Sequence, residues 1–197
     1  MVDGGQLVGS DMGEFGGSIW WRRPDGHHDT LRVQGRDTSG FHADNLHRFI
    51  LHRGAVYALV GLAHLTLNEG ELLLLSRDGT RWSARQLLSL GGAPRAVTRL
   101  GNDTILILTT DSLLSVGLDP ARPTRRALHG NGTWSYTYPS SMIQDRAGLI
   151  YIGMRGAVVR LTPAERGYKE DWLVPAQCRR RVPVGDWGPC RCEADTR

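Results

Sequence analysis

The 197-residue sequence has few aromatic residues, a single lysine and no long apolar run. Because the only lysine is Lys169, nearly all of the positive charge behind the formal net charge of +4 comes from arginine. The arginines are spread along the chain, and their one cluster lies at residues 179–181. Nucleic-acid binding requires a dense basic face or a recognised module. The sequence therefore predicts no nucleic-acid partner.

Two further absences concern the membrane and the compartment. No apolar run approaches the roughly 20 residues that a membrane-spanning helix needs. The first residues, Met-Val-Asp-Gly-Gly-Gln, contain no basic segment followed by an apolar one, which a signal peptide would require. We therefore expect no membrane span and, for the chain as written, a cytoplasmic location. If the N-terminus is truncated, a periplasmic or extracellular location is the alternative.

Cysteine is absent until the last twenty residues, where Cys178, Cys190 and Cys192 occur. Cys-Arg-Cys is not a usual zinc spacing and a fourth ligand is lacking, so we predict no metal site there. Two interpretations stay open. The thiols are free and incidental, or one disulfide links Cys178 to Cys190 or Cys192 in an oxidising compartment.

What the sequence does contain is a repeat of short apolar runs punctuated by its 25 glycines. The most apolar run recurs around Leu7, Val56, Ile105 and Ile150, at separations of 49, 49 and 45 residues. No helical periodicity occurs within a repeat. A period of this length, built from strands and turns, is typical of the four-stranded blades of a β-propeller. The predicted fold is therefore an all-β propeller of about four visible blades.

The blades are expected at about residues 1–38, 39–90, 91–130 and 131–175, followed by an Arg- and Cys-containing tail at 176–197. Blade one begins at its second strand, so either the tail around 181–184 supplies the missing strand or the ring contains more blades. The strands are predicted, in chain order, at residues 6–9, 17–22, 30–34, 46–51, 55–61, 71–76, 81–88, 94–100, 104–109, 112–118, 124–128, 140–144, 149–153, 157–161 and 171–174.

The clearest repeat, residues 140–163, resembles the two-component-regulator type of repeat found in bacterial sensor propellers. Tyr151 stands where that repeat usually has tryptophan. The resemblance implies a propeller that senses a ligand or a partner and carries no chemistry. It rests on these matching positions: Met142, Ile143, Asp145, Gly148, 149–153, Gly156 and 158–161.

Strand alternation divides the connections between two faces of the propeller. Loops from second to third strands, and loops between blades, share one face, which we call the long-loop face. It carries residues 10–16, 35–45, 63–69 and 129–139, whereas the opposite face has tight turns such as Asp78-Gly79. Because long loops on a rigid scaffold collect binding residues, the site is predicted on the long-loop face.

The most informative loop contains Trp134, Tyr136 and Tyr138, which alternate with small polar residues. One interpretation is packing between blades. The other is a stacking surface for a sugar or a protein partner, since aromatics with a polar group suit interfaces. In the second interpretation polar specificity comes from His64, Glu69, Arg155 and Glu14.

We therefore expect a non-enzymatic binding module without a cofactor, which recognises a protein partner or a carbohydrate. Its oligomeric state is not predicted. The alternative is a metal-dependent lactonase- or hydrolase-like propeller that uses a divalent cation such as calcium. Asp11, Glu14, His64 and Glu69 would then converge with Arg155, and the metal would activate water with a carboxylate as base. A third alternative is a piece of a larger extracytoplasmic propeller.

Overall fold

The computed structural model describes residues 4–36 and 44–175, which form four antiparallel sheets. A 3-10 turn (Gly13–Phe15) and the short helix α1 (Trp134–Thr137) lie in the connections. The strands are β1 (Gln6–Asp11), β2 (Gly17–Arg22), β3 (His28–Thr30), β4 (Leu46–His52), β5 (Ala55–His64), β6 (Leu67–Asp78), β7 (Arg81–Ser89), β8 (Pro94–Arg99), β9 (Thr104–Thr109), β10 (Ser112–Gly117), β11 (Thr124–Gly130), β12 (Ser141–Gln144), β13 (Ile150–Met154), β14 (Ala157–Pro163) and β15 (Tyr168–Leu173).

Each sheet is a meander in which every strand pairs with the next strand in sequence. Blade one contains β1 to β3, blade two β4 to β7, blade three β8 to β11 and blade four β12 to β15. This arrangement confirms the predicted all-β propeller. The tail at 176–197, with its three cysteines and the strand proposed at 181–184, lies outside the described residues. In the part of the chain that is described, no helix is long and apolar enough to cross a membrane.

The predicted last strand of blade one, at 30–34, is only partly correct. β3 ends at Thr30, and the chain then moves to the outer edge of blade two. There the Ala84 amide donates to the Arg32 carbonyl at 3.0 Å, and the Gln34 amide donates to the Ala84 carbonyl at 2.8 Å. Backbone groups at the outer edge of β7 are thereby satisfied by the neighbouring blade rather than by water.

The predicted loop at 63–69 is wrong as well. β5 and β6 continue pairing until His64 faces Leu67, so that only Leu65 and Thr66 form the turn. Leu65 adopts a positive φ of 54°, which a two-residue hairpin turn of this kind requires. The sequence carries no glycine or asparagine at this turn, and the usual hairpin signal was therefore missing.

The hydrophobic core lies between adjacent blades, where apolar side chains of neighbouring sheets pack against each other. Along β5, Tyr57 and Leu59 pack towards blade three, while Ala58 and Val60 pack towards blade one. Along β9, Ile105 and Ile107 face blade two. Leu106 and Leu108 face blade four. Because successive side chains of a strand point to opposite faces, both faces of the two middle sheets are covered.

This packing predicts that truncating a buried side chain on either face of β9 lowers the free energy of unfolding by a large and similar amount. Ile107→Ala and Leu106→Ala should each lower the free energy of unfolding by about 2–5 kcal/mol, because both side chains are fully buried. Ile143→Ala is the control and should cost less than about 1 kcal/mol, since Ile143 is exposed. Urea denaturation measures all three; a small cost at either buried position would contradict the two-sided packing.

Candidate functional site

Glu14 and His64 come together on the long-loop face as the sequence predicts. Their side chains approach to 3.0 Å between Oε2 and Nε2, and both are about half exposed. The contact arises because the 3-10 turn after β1 and the turn after β5 join second to third strands in adjacent blades. Glu69 lies farther along β6, opposite Leu62 in the ladder, and is exposed.

Arg155 joins the aromatic segment. Its guanidinium carbon lies 5.3 Å from the centre of the Tyr138 ring, a cation–π arrangement. The Arg155 amide also donates to the Thr137 carbonyl at 2.7 Å, which fixes the turn after β13 against α1. Tyr136 and Tyr138 are both exposed, so two of the three predicted aromatics remain accessible.

Trp134 does not offer a stacking surface, and the prediction that it contacts a ligand is wrong. The side chain is fully buried in the core between blades three and four. Its ring centre lies 5.4 Å from that of His129, and its Nε1 donates to Glu170 Oε1 at 3.4 Å. For this residue the packing interpretation is the correct one.

Glu170 on β15 anchors the whole connection that carries α1. His129 Nε2 lies 2.6 Å from Oε2, and Oε1 accepts hydrogen bonds from Asn131 Nδ2 at 2.9 Å and from Trp172 Nε1 at 2.6 Å. Burial raises the pKa of Glu170, but the hydrogen bonds from His129, Trp172, Trp134 and Asn131 together outweigh burial and hold it below its ordinary value. The carboxylate thus positions the exposed tyrosines indirectly.

A second feature lies where the innermost strands of blades two, three and four begin. These strands enclose a cavity of about 250 Å³, which we call the inner-strand cavity. Two guanidinium groups and one imidazole line it, together with two serine hydroxyls and apolar groups. The lining residues are His47, Arg48, Leu59, Pro94, Arg95, Ala96, Val97, Ser140, Ser141 and Met142.

Two β-bulges place His47 and Arg95 in this lining. Leu46 faces Val60 and Arg48 faces Leu59, which leaves His47 as the extra residue of β4. On β8, Pro94 faces Thr109 and Ala96 faces Leu108, so Arg95 is the extra residue. A bulge redirects a side chain that regular pairing would place elsewhere. The two bulges therefore occur at equivalent places in adjacent blades.

Gly61 lies in contact with the bulged segments of both β4 and β8. Its carbonyl lies 3.1 Å from His47 Nε2, and a Cβ at Gly61 would lie 2.7 Å from Pro94 Cδ, next to Arg95. Gly70, which pairs with Gly61 across the β5–β6 hairpin, approaches the same proline. Only residues without a side chain permit this close contact between blades two and three.

Two arginines and a histidine line the cavity, and burial affects two of them. Burial lowers the pKa of His47, although its hydrogen bond to Gly61 and the charge of Asp11 act in the opposite direction. Burial likewise lowers the pKa of the Arg95 guanidinium, against the opposing effects of Asp11 and Tyr138. Arg95 Nε is buried and has no hydrogen-bond partner within residues 4–36 and 44–175.

Sequence reasoning did not find His47 or Arg95. The available signal was a basic residue soon after the start of the innermost strand in both blades, as in Leu46-His47 and Pro94-Arg95. Regular alternation gives no reason to aim either side chain at a common cavity. The bulge, which depends on pairing with the next strand, creates that geometry.

The residues of the metal alternative do not form a metal centre. Glu14 and His64 are in contact, but in residues 4–36 and 44–175 no group of three or more His, Cys, Asp or Glu side chains could hold an ion. A site for a divalent cation usually collects more oxygen ligands than this pair supplies. The calcium alternative stays a prediction.

Comparison with known proteins supports the fold. No known protein family and no curated protein matches the sequence. Among solved structures, the chain is similar to the calcium-binding protein regucalcin of Agrobacterium tumefaciens str. C58, with 16% identity and a TM-score of 0.53 over 86% of this chain and 57% of that protein. A gluconolactonase of Xanthomonas campestris matches with 15% identity and a TM-score of 0.47, over 80% and 56% of the two chains. Virginiamycin B lyase of Staphylococcus aureus matches with 14% identity and a TM-score of 0.45, over 92% and 61%.

The similarity to regucalcin supports the propeller fold and nothing finer. The chain is an all-β propeller, and it spans less than two thirds of the length of each structure named above. At such identities the similarity to regucalcin concerns the fold alone. The resemblance of residues 140–163 to two-component-regulator repeats stays a prediction.

The Glu170 cluster predicts a pH-dependent stability. Because the pKa of folded Glu170 is lowered, its contribution is complete above the ordinary value of 4.5 and is lost as the pH falls through the lowered pKa. Glu170→Gln should cost roughly 2 kcal/mol of unfolding free energy at pH 7, since hydrogen bonds to a charged group are lost. The loss of unfolding free energy in Glu170→Gln should become smaller below about pH 4.

Glu165→Gln is the matched control, because Glu165 is exposed in the turn before β15. Chemical denaturation from pH 3 to pH 7 gives both profiles. A Glu170→Gln deficit that stays constant with pH would contradict the assignment of the carboxylate as the charged acceptor.

Proposed function

We propose that the chain is a non-enzymatic binding module that docks a protein partner on its long-loop face. The observation that carries this proposal is a set of large apolar side chains in the loops of that face, each more than half exposed. They are Met12 at 54%, Phe15 at 81%, Leu65 at 91%, Tyr136 at 65% and Tyr138 at 59%.

The topology supports treating these side chains as one surface. Met12 and Phe15 lie between β1 and β2, and Leu65 lies between β5 and β6, both of which are second-to-third connections. The tyrosines lie in the connection between blades three and four. Near the opposite face, Leu100 is exposed in a turn, and Leu51 and Ile143 are exposed towards the ends of β4 and β12. Apolar side chains gathered on one face are typical of protein-interaction sites.

Polar groups at the same face fit a protein interface. The Glu14–His64 pair lies beside Phe15 and Leu65, and Arg155 lies on the Tyr138 ring. Aromatic residues and arginine are enriched in interfaces, where they combine apolar contact with hydrogen bonding. Carbohydrate binding is less well supported, because burial of Trp134 removes one of the three predicted stacking rings.

The enzymatic alternative is not part of the proposal. It requires a cation held by several carboxylates, and within the described ranges no three ligands come together. What regucalcin or the gluconolactonase binds is a property of those proteins. For this chain we propose that the protein partner is bound without a resident metal.

The proposal predicts site-specific photo-cross-linking. With p-benzoylphenylalanine in place of Tyr136, the chain expressed in its host should form a defined adduct with one protein. Adding Phe15→Ser and Leu65→Ser should reduce that adduct at least tenfold, because the apolar contact is lost. Immunoblotting and mass spectrometry measure the adduct.

The matched control carries the same photo-reactive residue in place of Arg146, which is exposed in a turn of the opposite face. It should give no such adduct. The same adduct from position 146, or none from position 136, would argue against a protein partner on the long-loop face. Binding of the purified chain to a glycan array, abolished by Tyr136→Ala, would favour a carbohydrate instead.

A further inference from the structure

We propose that the inner-strand cavity is a separate binding site for a small molecule that carries a carboxylate or phosphate group. The five exposed apolar side chains of the protein-docking surface do not line this cavity, although Tyr138 acts electrostatically on Arg95. Three properties of the cavity support the assignment: how its walls are built, which charges line it, and how large it is.

The walls are built mainly from the innermost strands rather than from loop tips. Arg95 projects from the bulge of β8 and His47 from the equivalent bulge of β4. Ser140 and Ser141 stand at the start of β12, where the Ser140 amide donates to the Gly153 carbonyl at 3.0 Å. Three adjacent blades thus present polar groups from the same level of their innermost strands. Groups on such elements are held more precisely than groups on loops.

The charges of the lining have one sign. Among the described residues, Arg48, Arg95 and His47 line the cavity, and no Asp or Glu does. Asp11 is the acid that acts on both His47 and Arg95. It lies at the exposed end of β1, however, and its Oδ1 already accepts from the Gly13 amide at 2.9 Å. In the described ranges Asp11 thus acts on both His47 and Arg95, while two arginines line the cavity.

Arg95 indicates the kind of ligand. Among the described residues its Nε finds no hydrogen-bond partner, as is also the case for Arg160 Nε, and an unpaired charged donor is costly. A planar guanidinium binds carboxylate or phosphate oxygens through two parallel N–H donors. An oxyanion in the cavity would offset the charge of Arg95, whereas the Ser140 hydroxyl already donates to the Gly153 carbonyl at 3.4 Å. The burial that lowers the pKa of Arg95 is in keeping with a site prepared for a negative charge.

The size limits the ligand. The volume of about 250 Å³ lies just below the range of roughly 300–1,000 Å³ of pockets for drug-sized molecules. Inorganic phosphate or a short-chain carboxylate fits within this volume.

Isothermal titration calorimetry of the purified chain with inorganic phosphate, and in parallel with sodium malonate, tests the proposal. We expect saturable binding of at least one of these anions at millimolar concentration or below. Arg95→Gln should weaken it at least tenfold, and Arg48→Gln should weaken it as well. Preference for phosphate or for malonate identifies which oxyanion the ligand carries.

Arg99→Gln is the matched control, because it makes the same charge change on the same strand outside the cavity lining. It should alter binding less than twofold. If Arg95→Gln fails to fold in a thermal scan, the exposed Arg48 decides the question through Arg48→Gln. The proposal is overturned if neither anion binds at concentrations up to about 10 mM. It is also overturned if Arg99→Gln weakens anion binding as much as Arg95→Gln does.

Discussion

The structure depends on burying both faces of the two middle sheets between their neighbours. A single four-stranded sheet with Ile105 to Leu108 at its centre would expose one apolar face to water whichever way it turned. Stacking covers Ile105 and Ile107 with blade two and Leu106 and Leu108 with blade four. Burial of each such side chain is worth about 1.5–3 kcal/mol. Interblade packing, rather than strand pairing alone, therefore stabilises the propeller.

This constraint decides where functional groups can lie. Side chains in the middle of a blade are committed to packing, so polar groups remain possible at the turns and at the ends of the innermost strands. The turns of the long-loop face hold the Glu14–His64 pair and Tyr138 with Arg155. A bulge in the innermost strand inserts one extra residue, whose side chain need not follow the alternation between the two faces of the sheet. The apolar pattern of the rest of the strand is kept. Arg95 is such an extra residue.

Much of the fold was predictable from the sequence, because short apolar runs separated by glycine turns repeat in all four blades. β9, for example, occupies the predicted residues 104–109. The errors come from tertiary contacts that no local pattern records. Residues 32–34 pair with Ala84 of the next blade. The turn at Leu65 follows from the extended β5–β6 ladder, with no glycine to mark it.

The candidate site was less predictable, and the aromatic loop shows the physical reason. Trp134, Tyr136 and Tyr138 alternate in sequence, which in an extended chain would place all three on one side. The segment instead forms the helical turn α1, in which residues two apart lie on opposite sides. Trp134 consequently enters the core, where Glu170 accepts from its indole, while Tyr136 stays exposed. One ring anchors the loop while the other two stay at the surface, and the same period-two pattern is therefore divided between buried and exposed positions.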